Sequence, residues 1–191
     1  KVGDEAFVSC KSLNSITIPD SVTKIGRCAF DNTAYDKDSN YQDGVLYIGK
    51  HLIVAKETIN GDHTIKSGTK TVADYAFAWC ENLIGVTIAN SVKTIGEYAF
   101  ADCSSLKSVT IPDSVTNIGD GAFSSCESLN SITVDKNNKN YSSDESGILF
   151  NKEKNVLIQY PIGNSRKEYT VPNGITEIGE GAFEYCIQLE S

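Results

Sequence analysis

Cysteine and histidine are the residues here whose side chains could ligate a metal, attack a carbonyl or relay a proton, and the chain has six of the first and two of the second. A zinc site needs thiolates in close pairs such as Cys-x-x-Cys, and Cys10, Cys28, Cys80, Cys103, Cys126 and Cys186 form none. Asp62-His63 could orient a serine nucleophile, but no nucleophile elbow or related motif supplies one. His51 and His63 therefore read as solvated residues of a connecting segment. In "DKDSNYQDG", residues 36 to 44, Asp36, Asp38, Asn40 and Asp43 set oxygen ligands at alternate positions, as a calcium loop does. The glycine stands ninth instead of sixth and Tyr47 takes the twelfth place, where a bidentate Glu belongs, so the stretch reads as a hydrophilic connector. No glycine-rich phosphate loop is present. The expectation is a chain with no catalytic residue, no metal and no cofactor.

Charge narrows the partners. Seventeen Lys and Arg against 25 Asp and Glu leave a net charge of -8, and the densest basic cluster is the pair Arg166-Lys167. Nucleic acid and anionic membranes bind through clustered bases, so neither is expected, and the negative balance reads as solubility. No run of 18 apolar residues exists to span a membrane, and no charged-then-apolar leader opens the chain. The lack of Met and the start at Lys1 point to a fragment of a longer protein. With 40% apolar residues the chain can bury a core.

The elements that would position these side chains follow from a repeat. "LIGVTIANSVKTIGEYAFADC", Leu83 to Cys103, is written again from Leu106 to Cys126 as "LKSVTIPDSVTNIGDGAFSSC". Phe of the Ala-Phe pair falls at 7, 30, 77, 100, 123 and 183; three spacings are 23 and the others are one period plus 24 and 37 residues. Two inserts, at about 34–62 and 135–168, thus interrupt one array. Thirteen residues before each Phe from Phe30 on stands Thr, at 17, 64, 87, 110 and 170, and Thr133 completes a sixth copy. Apolar-Thr-apolar is the period-two pattern of a short strand with one buried face. "IPDS" and "VPNG" then make a tight turn, and "VTKIG", "VKTIG", "VTNIG" and "ITEIG" make a second short extended segment. The Gly at 26, 96, 119 and 179 is replaced by Ala73 in one copy, which argues for close approach between layers rather than a left-handed backbone. "AF..C..L" reads as one turn of 3₁₀ or α structure. A unit this short cannot bury its own apolar side chains, so it must stack on copies of itself.

With "SLKSVTIPDSVTNIGDGAFSSCESL" the chain closely resembles the BspA-like class of leucine-rich repeats of cell-surface proteins. "NYQDGVLYIGKHLIVA" and "NYSSDESGILFNKEKNVLIQYP" are similar to hairpin variants of that class. The fold expected is a β-rich α/β solenoid, a right-handed leucine-rich-repeat superhelix of 23-residue units with two β-hairpin inserts, one array over 1–191. The resemblance implies a cell-surface or secreted, non-catalytic array that binds extracellular or host proteins, flanked by further repeats of its own chain. A spacer within a larger surface protein is the alternative.

Stacking reassigns the reactive side chains. Cys10, Cys80, Cys103, Cys126 and Cys186 share one repeat position, with Thr33 in the same slot, and read as free thiols packed in the core. Parallel Cβ vectors in adjacent layers suit a disulfide poorly. Cys28 lies outside the column and is the accessible thiol expected. Thr17, Thr64, Thr87, Thr110, Thr133 and Thr170 would form an outward hydroxyl ladder, the candidate ligand-facing row, beside small Ser15, Gly85, Ser108 and Ser131. The residue before the Cys column is aromatic only in the units that follow an insert. Trp79 and Tyr185 are therefore expected to pack on the inserted hairpins or, for Trp79, to serve as a binding hot spot.

Overall fold

In the computed structural model, which describes residues 1–191, the apolar-Thr-apolar segments become strands because alternate side chains can be buried against the next copy. In chain order the strands are β1 (Tyr41–Gln42), β2 (Val45–Ile48), β3 (His51–Ala55), β4 (Gly61–Thr64), β5 (Thr71–Val72), β6 (Leu83–Thr87), β7 (Thr94–Ile95), β8 (Ser108–Ile111), β9 (Asn117–Ile118), β10 (Ser131–Val134), β11 (Tyr141–Ser143), β12 (Leu149–Asn151), β13 (Val156–Gln159) and β14 (Glu177–Ile178). β10, β8, β6 and β4 form one parallel ladder, and β5, β7 and β9 a second. Ser108–Ile111 alternates exposed and buried, as the sequence pattern requires. No helix is long and apolar enough to cross a membrane.

The third side of each coil corrects the expected helical turn, and with it the α/β class. The only helix is a single 3₁₀ turn, Asp38–Asn40. The "AF..C" segment is instead a chain of tight turns with two residues in the left-handed region, Tyr75 (φ 59) and Trp79 (φ 62) in one layer and Tyr98 (φ 52) and Asp102 (φ 57) in the next. Alternate N–H groups close these turns, as Ala76 does to Ala73 O (3.3 Å) and Cys80 to Phe77 O (3.1 Å). The others donate to the next layer: Tyr75 to Glu97 O (2.9 Å), Phe77 to Ala99 O (2.7 Å) and Trp79 to Ala101 O (2.9 Å). A helix would spend every N–H within its own segment and leave this side of the stack without interlayer bonds.

Inside, equivalent side chains lie one above another. Phe77 and Phe100 stack at 5.1 Å between ring centroids and 10° between planes, Phe100 and Phe123 at 5.5 Å and 6°, and all three are buried. The Gly column lies where layers touch. A Cβ on Gly96 would come within 2.5 Å of Ala73 C and of Asp74 N, and Gly26 and Gly119 are as closely approached. None of the three has a left-handed φ, so close approach is the reason for glycine.

Two antiparallel segments join the sheets of the stack. β2 and β3 pair antiparallel across Gly49-Lys50, and β3 then pairs parallel with β5, so β1, β2, β3, β5, β7 and β9 make one six-stranded sheet. β11, β12 and β13 are likewise antiparallel, and β13 pairs parallel with β14. Tyr160 takes the Phe position of that layer: its N–H bonds Ala182 O (2.8 Å) and its ring stacks on Phe183 at 5.2 Å. The physical reason is pairing, since a strand that supplies a parallel partner satisfies the edge of the next coil.

Candidate functional site

The threonine row is real but shorter than its sequence column. Thr64, Thr87, Thr110 and Thr133 are direct register partners in the first ladder, and all are exposed. Thr17 and Thr170 are exposed but lie outside any strand. Toward Thr170 the ladder closes at β10, where Ile132 N–H bonds Gly147 O (2.9 Å) and Val134 N–H bonds Ser143 Oγ (3.0 Å). Ser108 and Ser131 stand in the same relation beside the row, joined by Gly85 and Asp62. The two rows are rich in hydroxyls and hold no aromatic or arginine anchor.

An aromatic cluster stands elsewhere. Trp79 is 46% exposed, lies 5.9 Å from Tyr75 at 20°, and Tyr75 stacks on Tyr98 at 5.1 Å. Arg27 covers the Tyr75 ring at 5.4 Å, and Tyr98 rests on the backbone of Gly121. Trp79 stands beside β3 and is partly open to solvent. It forms one wall of a groove of about 180 Å³ whose other side includes Ile53, Val54 and Ala55 of β3. Tyr185, 63% exposed, similarly faces Ile162, Gly163 and Ser165 across an open cleft. Both rings stand at the second left-handed position of the turn, occupied in other layers by Ser9, Asn32, Asp102 and Ser125. A non-glycine residue held there costs about 1–3 kcal/mol, and Asn or Asp tolerates it better than a bulky ring. The turn itself therefore gives no reason for an aromatic at either place.

The histidines are not solvated, which corrects that expectation. His51 is fully buried with Nε2 3.3 Å from Pro19 O, and His63 packs on Phe77 at 5.6 Å between ring centroids. His51 Nδ1 and His63 Nε2 have no partner, and burial lowers the pKa of both. His51 lies in β3 and His63 in β4, so each occupies a core position in place of the solvent that a connector would have. Neither has a serine hydrogen-bonded to it.

The cysteines are all free. Cys80, Cys103 and Cys126 are buried; Sγ of Cys103 donates to Phe77 O and that of Cys126 to Phe100 O, each at 3.1 Å. Thr33, in the same slot, donates instead within its own layer, to Phe30 O at 2.9 Å. Burial pushes the thiols of Cys80 and Cys126 up to about 12. The accessible thiol is Cys10, which is exposed, and not Cys28, which is half-buried with its pKa raised first by burial. Of the acidic connector, Asp36 accepts from Tyr41 Oη (2.8 Å) and Asp38 pairs with Lys56 Nζ (2.6 Å). No group of three or more His, Cys, Asp or Glu is placed to hold a metal.

Several anchoring residues escaped sequence reasoning. Asn138 is fully buried; its Nδ2 donates to Pro112 O (2.8 Å) and Val115 O (3.1 Å), while Oδ1 accepts from the N–H groups of Asn140 and Tyr141 at 2.8 Å. Tyr141 Oη then accepts from Ile118 N–H (2.8 Å), satisfying the edge of β9. Asp4 and Asp74 each accept the N–H of the next layer, from Arg27 (3.0 Å) and Glu97 (2.9 Å). Lys24 bridges Asp74 (3.2 Å) and Glu97 (2.5 Å). The signal for the Asp pair was legible, since both follow the glycine column; Asn138 carries none.

A family model described as BspA type leucine-rich repeat region, in six copies, matches residues 1–60, 56–151 and 162–191. Among solved structures, a leucine-rich cell surface protein from Faecalibacterium prausnitzii A2-165 is similar at 30% identity and a TM-score of 0.62, over 97% of this chain and 50% of that one. The pneumococcal vaccine antigen PcpA shares the fold at 24% identity and a TM-score of 0.63, over 85% of this chain and 34% of its own. The chain thus spans about half or less of these relatives. No curated protein sequence matches it. The architecture is a β-solenoid of about six turns. Six matched copies over nearly all of the sequence, on a stack whose retained residues point inward, establish that the chain belongs to the BspA-type leucine-rich-repeat family.

Proposed function

We propose that the chain is a non-catalytic module, displayed on a bacterial cell surface or secreted, that binds extracellular proteins of a host or neighbour. The observation that carries this reading is the register Thr64, Thr87, Thr110, Thr133: four exposed side chains aligned on one parallel sheet backed by a continuous core. Repeat arrays offer such extended faces to large partners. The surface location is supported by relatives described as a cell surface protein and as a vaccine antigen. In the same reading residues 1–191 form one right-handed array, and the antiparallel segments within about 34–62 and 135–168 are its hairpin inserts. With no aromatic or arginine in the row, contact there is weak and gains strength by repetition along the array.

The lack of anchors in the Thr row also favours a second reading, a spacer that holds another domain away from the cell. The test is binding of labelled chain to a panel of purified extracellular-matrix proteins, wild type against a Thr87→Lys/Thr110→Lys double variant. Saturable binding that the double variant loses supports the module. Absence of binding to every member leaves the spacer.

A further inference from the structure

We propose that Trp79 is the docking point for an arginine side chain of a partner protein, held between the indole face and the carboxylates of Glu57 and Glu81. The inference rests on the protein-binding reading but concerns a surface separate from the Thr row. Trp79 is the only tryptophan of the chain, it is 46% exposed, and it stands where the turn gives no reason for an aromatic. Tyr75 supports it from one side at 5.9 Å. The depression on which it borders beyond the hairpin strand is lined by Glu57, Thr58, Glu81 and Asn82, two acids and two neutral residues with no base.

The chain itself shows the chemistry that such a site selects. Arg27 lies over Tyr75 at 5.4 Å, Lys56 over Tyr41 at 4.8 Å and Lys66 over Tyr47 at 5.8 Å, so three tyrosines carry an internal cation. Trp79, the ring type with the strongest attraction for a cation, carries none. Lys56 cannot serve, because its ammonium is held by Asp38 at 2.6 Å. Both acids beside Trp79 are exposed, and neither has an ion-pair partner. A guanidinium laid on the indole would donate its in-plane N–H groups to these carboxylates while its face covers the ring. A lysine ammonium is a point charge that offers no such plane. The neighbouring groove, at about 180 Å³, has room for a side chain and not for a folded element.

The emission of the sole tryptophan reports directly on the site. Acetylated hexa-arginine is titrated into the intact chain at low salt, with hexa-lysine and a neutral hexasaccharide as comparisons. The expected result is a saturable change in Trp79 emission with hexa-arginine, weaker with hexa-lysine and absent with the sugar. Affinity should fall by about tenfold or more in Glu57→Gln/Glu81→Gln. Calorimetry on Trp79→Ala, whose interlayer backbone bonds are unchanged, should show the heat of binding lost with the melting temperature retained. An emission change that is not saturable, equal affinity in the double Gln variant, or a response to the hexasaccharide would each overturn the proposal. If the matrix-protein panel binds through the Thr row while hexa-arginine fails, only the Trp79 site falls. If hexa-arginine binds and the panel does not, the protein-binding reading of the row falls instead.

Discussion

Gly96 and Gly3 occupy the same position of the repeat, so replacing each by alanine separates the contribution of the layer beneath from that of the residue itself. At Gly96 a Cβ would lie 2.5 Å from Ala73 C and from Asp74 N, about 0.9 Å short of the 3.4 Å at which ordinary contact begins; at Gly3 nothing lies within 4 Å. Those two atoms are backbone and cannot rotate away, and Asp74 Oδ1 stands a further obstacle at 2.6 Å, so the layers must part. Parting stretches Gly96 N–H to Val72 O (3.0 Å) and Glu97 N–H to Asp74 Oδ1 (2.9 Å). Overpacking costs about 1–3 kcal/mol and each weakened hydrogen bond about 1 kcal/mol, against about 0.4–1 kcal/mol gained by restricting the unfolded chain. Gly96→Ala is therefore expected to destabilise by about 2–4 kcal/mol, while Gly3→Ala is neutral or stabilises by about 0.4–1 kcal/mol. The assay is urea unfolding followed by Trp79 emission and far-ultraviolet circular dichroism, with midpoints compared at constant slope. If the two variants differ by less than about 1 kcal/mol, close stacking is not what selects glycine and the reasoning fails.

Phe100→Ala removes the middle ring of a buried stack and should cost about 3–5 kcal/mol, whereas Phe7→Ala, at a half-buried site, should cost less than half of that in the same unfolding assay. Equal losses would mean that the rings do not act as a column. Iodoacetamide at pH 8, read by peptide mass mapping, should label Cys10 in the native protein and reach Cys80, Cys103 and Cys126 only on unfolding, because burial both covers these thiols and raises their pKa. Labelling of Cys103 as fast as Cys10 contradicts the buried column. Stability should fall as the pH drops below about 7, since His51 and His63 are kept neutral by burial while the unfolded chain takes up protons near its ordinary value of about 6.5. Asp20 opposes the shift of His51 and Asp43 that of His63. Urea midpoints between pH 7.5 and 5.5 should slope less in His51→Gln; an unchanged slope assigns the effect elsewhere.

How far the molecule was legible varies with the element. The Phe and Cys columns could be read because inward positions meet their own copies in the next layer, and the Thr column because each strand keeps the same alternation, so a period of 23 survives as near-identity in the chain. The left-handed turn positions were much less visible. Glu5, Cys28, Tyr75, Tyr98, Gly121 and Gly181 share one of them, and so varied a set gives no turn signature; only Gly121 and Gly181 are residues for which that backbone is cheap. The turns persist because interlayer hydrogen bonds on both sides compensate the local preference. The histidines were misread for a related reason. A residue in a segment that breaks the period looks like a connector until that segment is known to enter the stack, and β3 becomes a coil strand only by pairing with β5.

The sequence by itself determined the repeat, its period, the inward set of side chains and the family, because each depends on what one unit must offer the next. Only the tertiary structure decided which threonines share a ladder, which thiol is open, and where Trp79 stands between Tyr75 and two carboxylates. Those outcomes depend on where the antiparallel segments join the stack, through contacts such as Ile132 with Gly147 and His51 with Pro19, between residues whose separation in the chain follows no period. A periodic pattern specifies interactions between equivalent positions, and it carries no information about contacts that occur once.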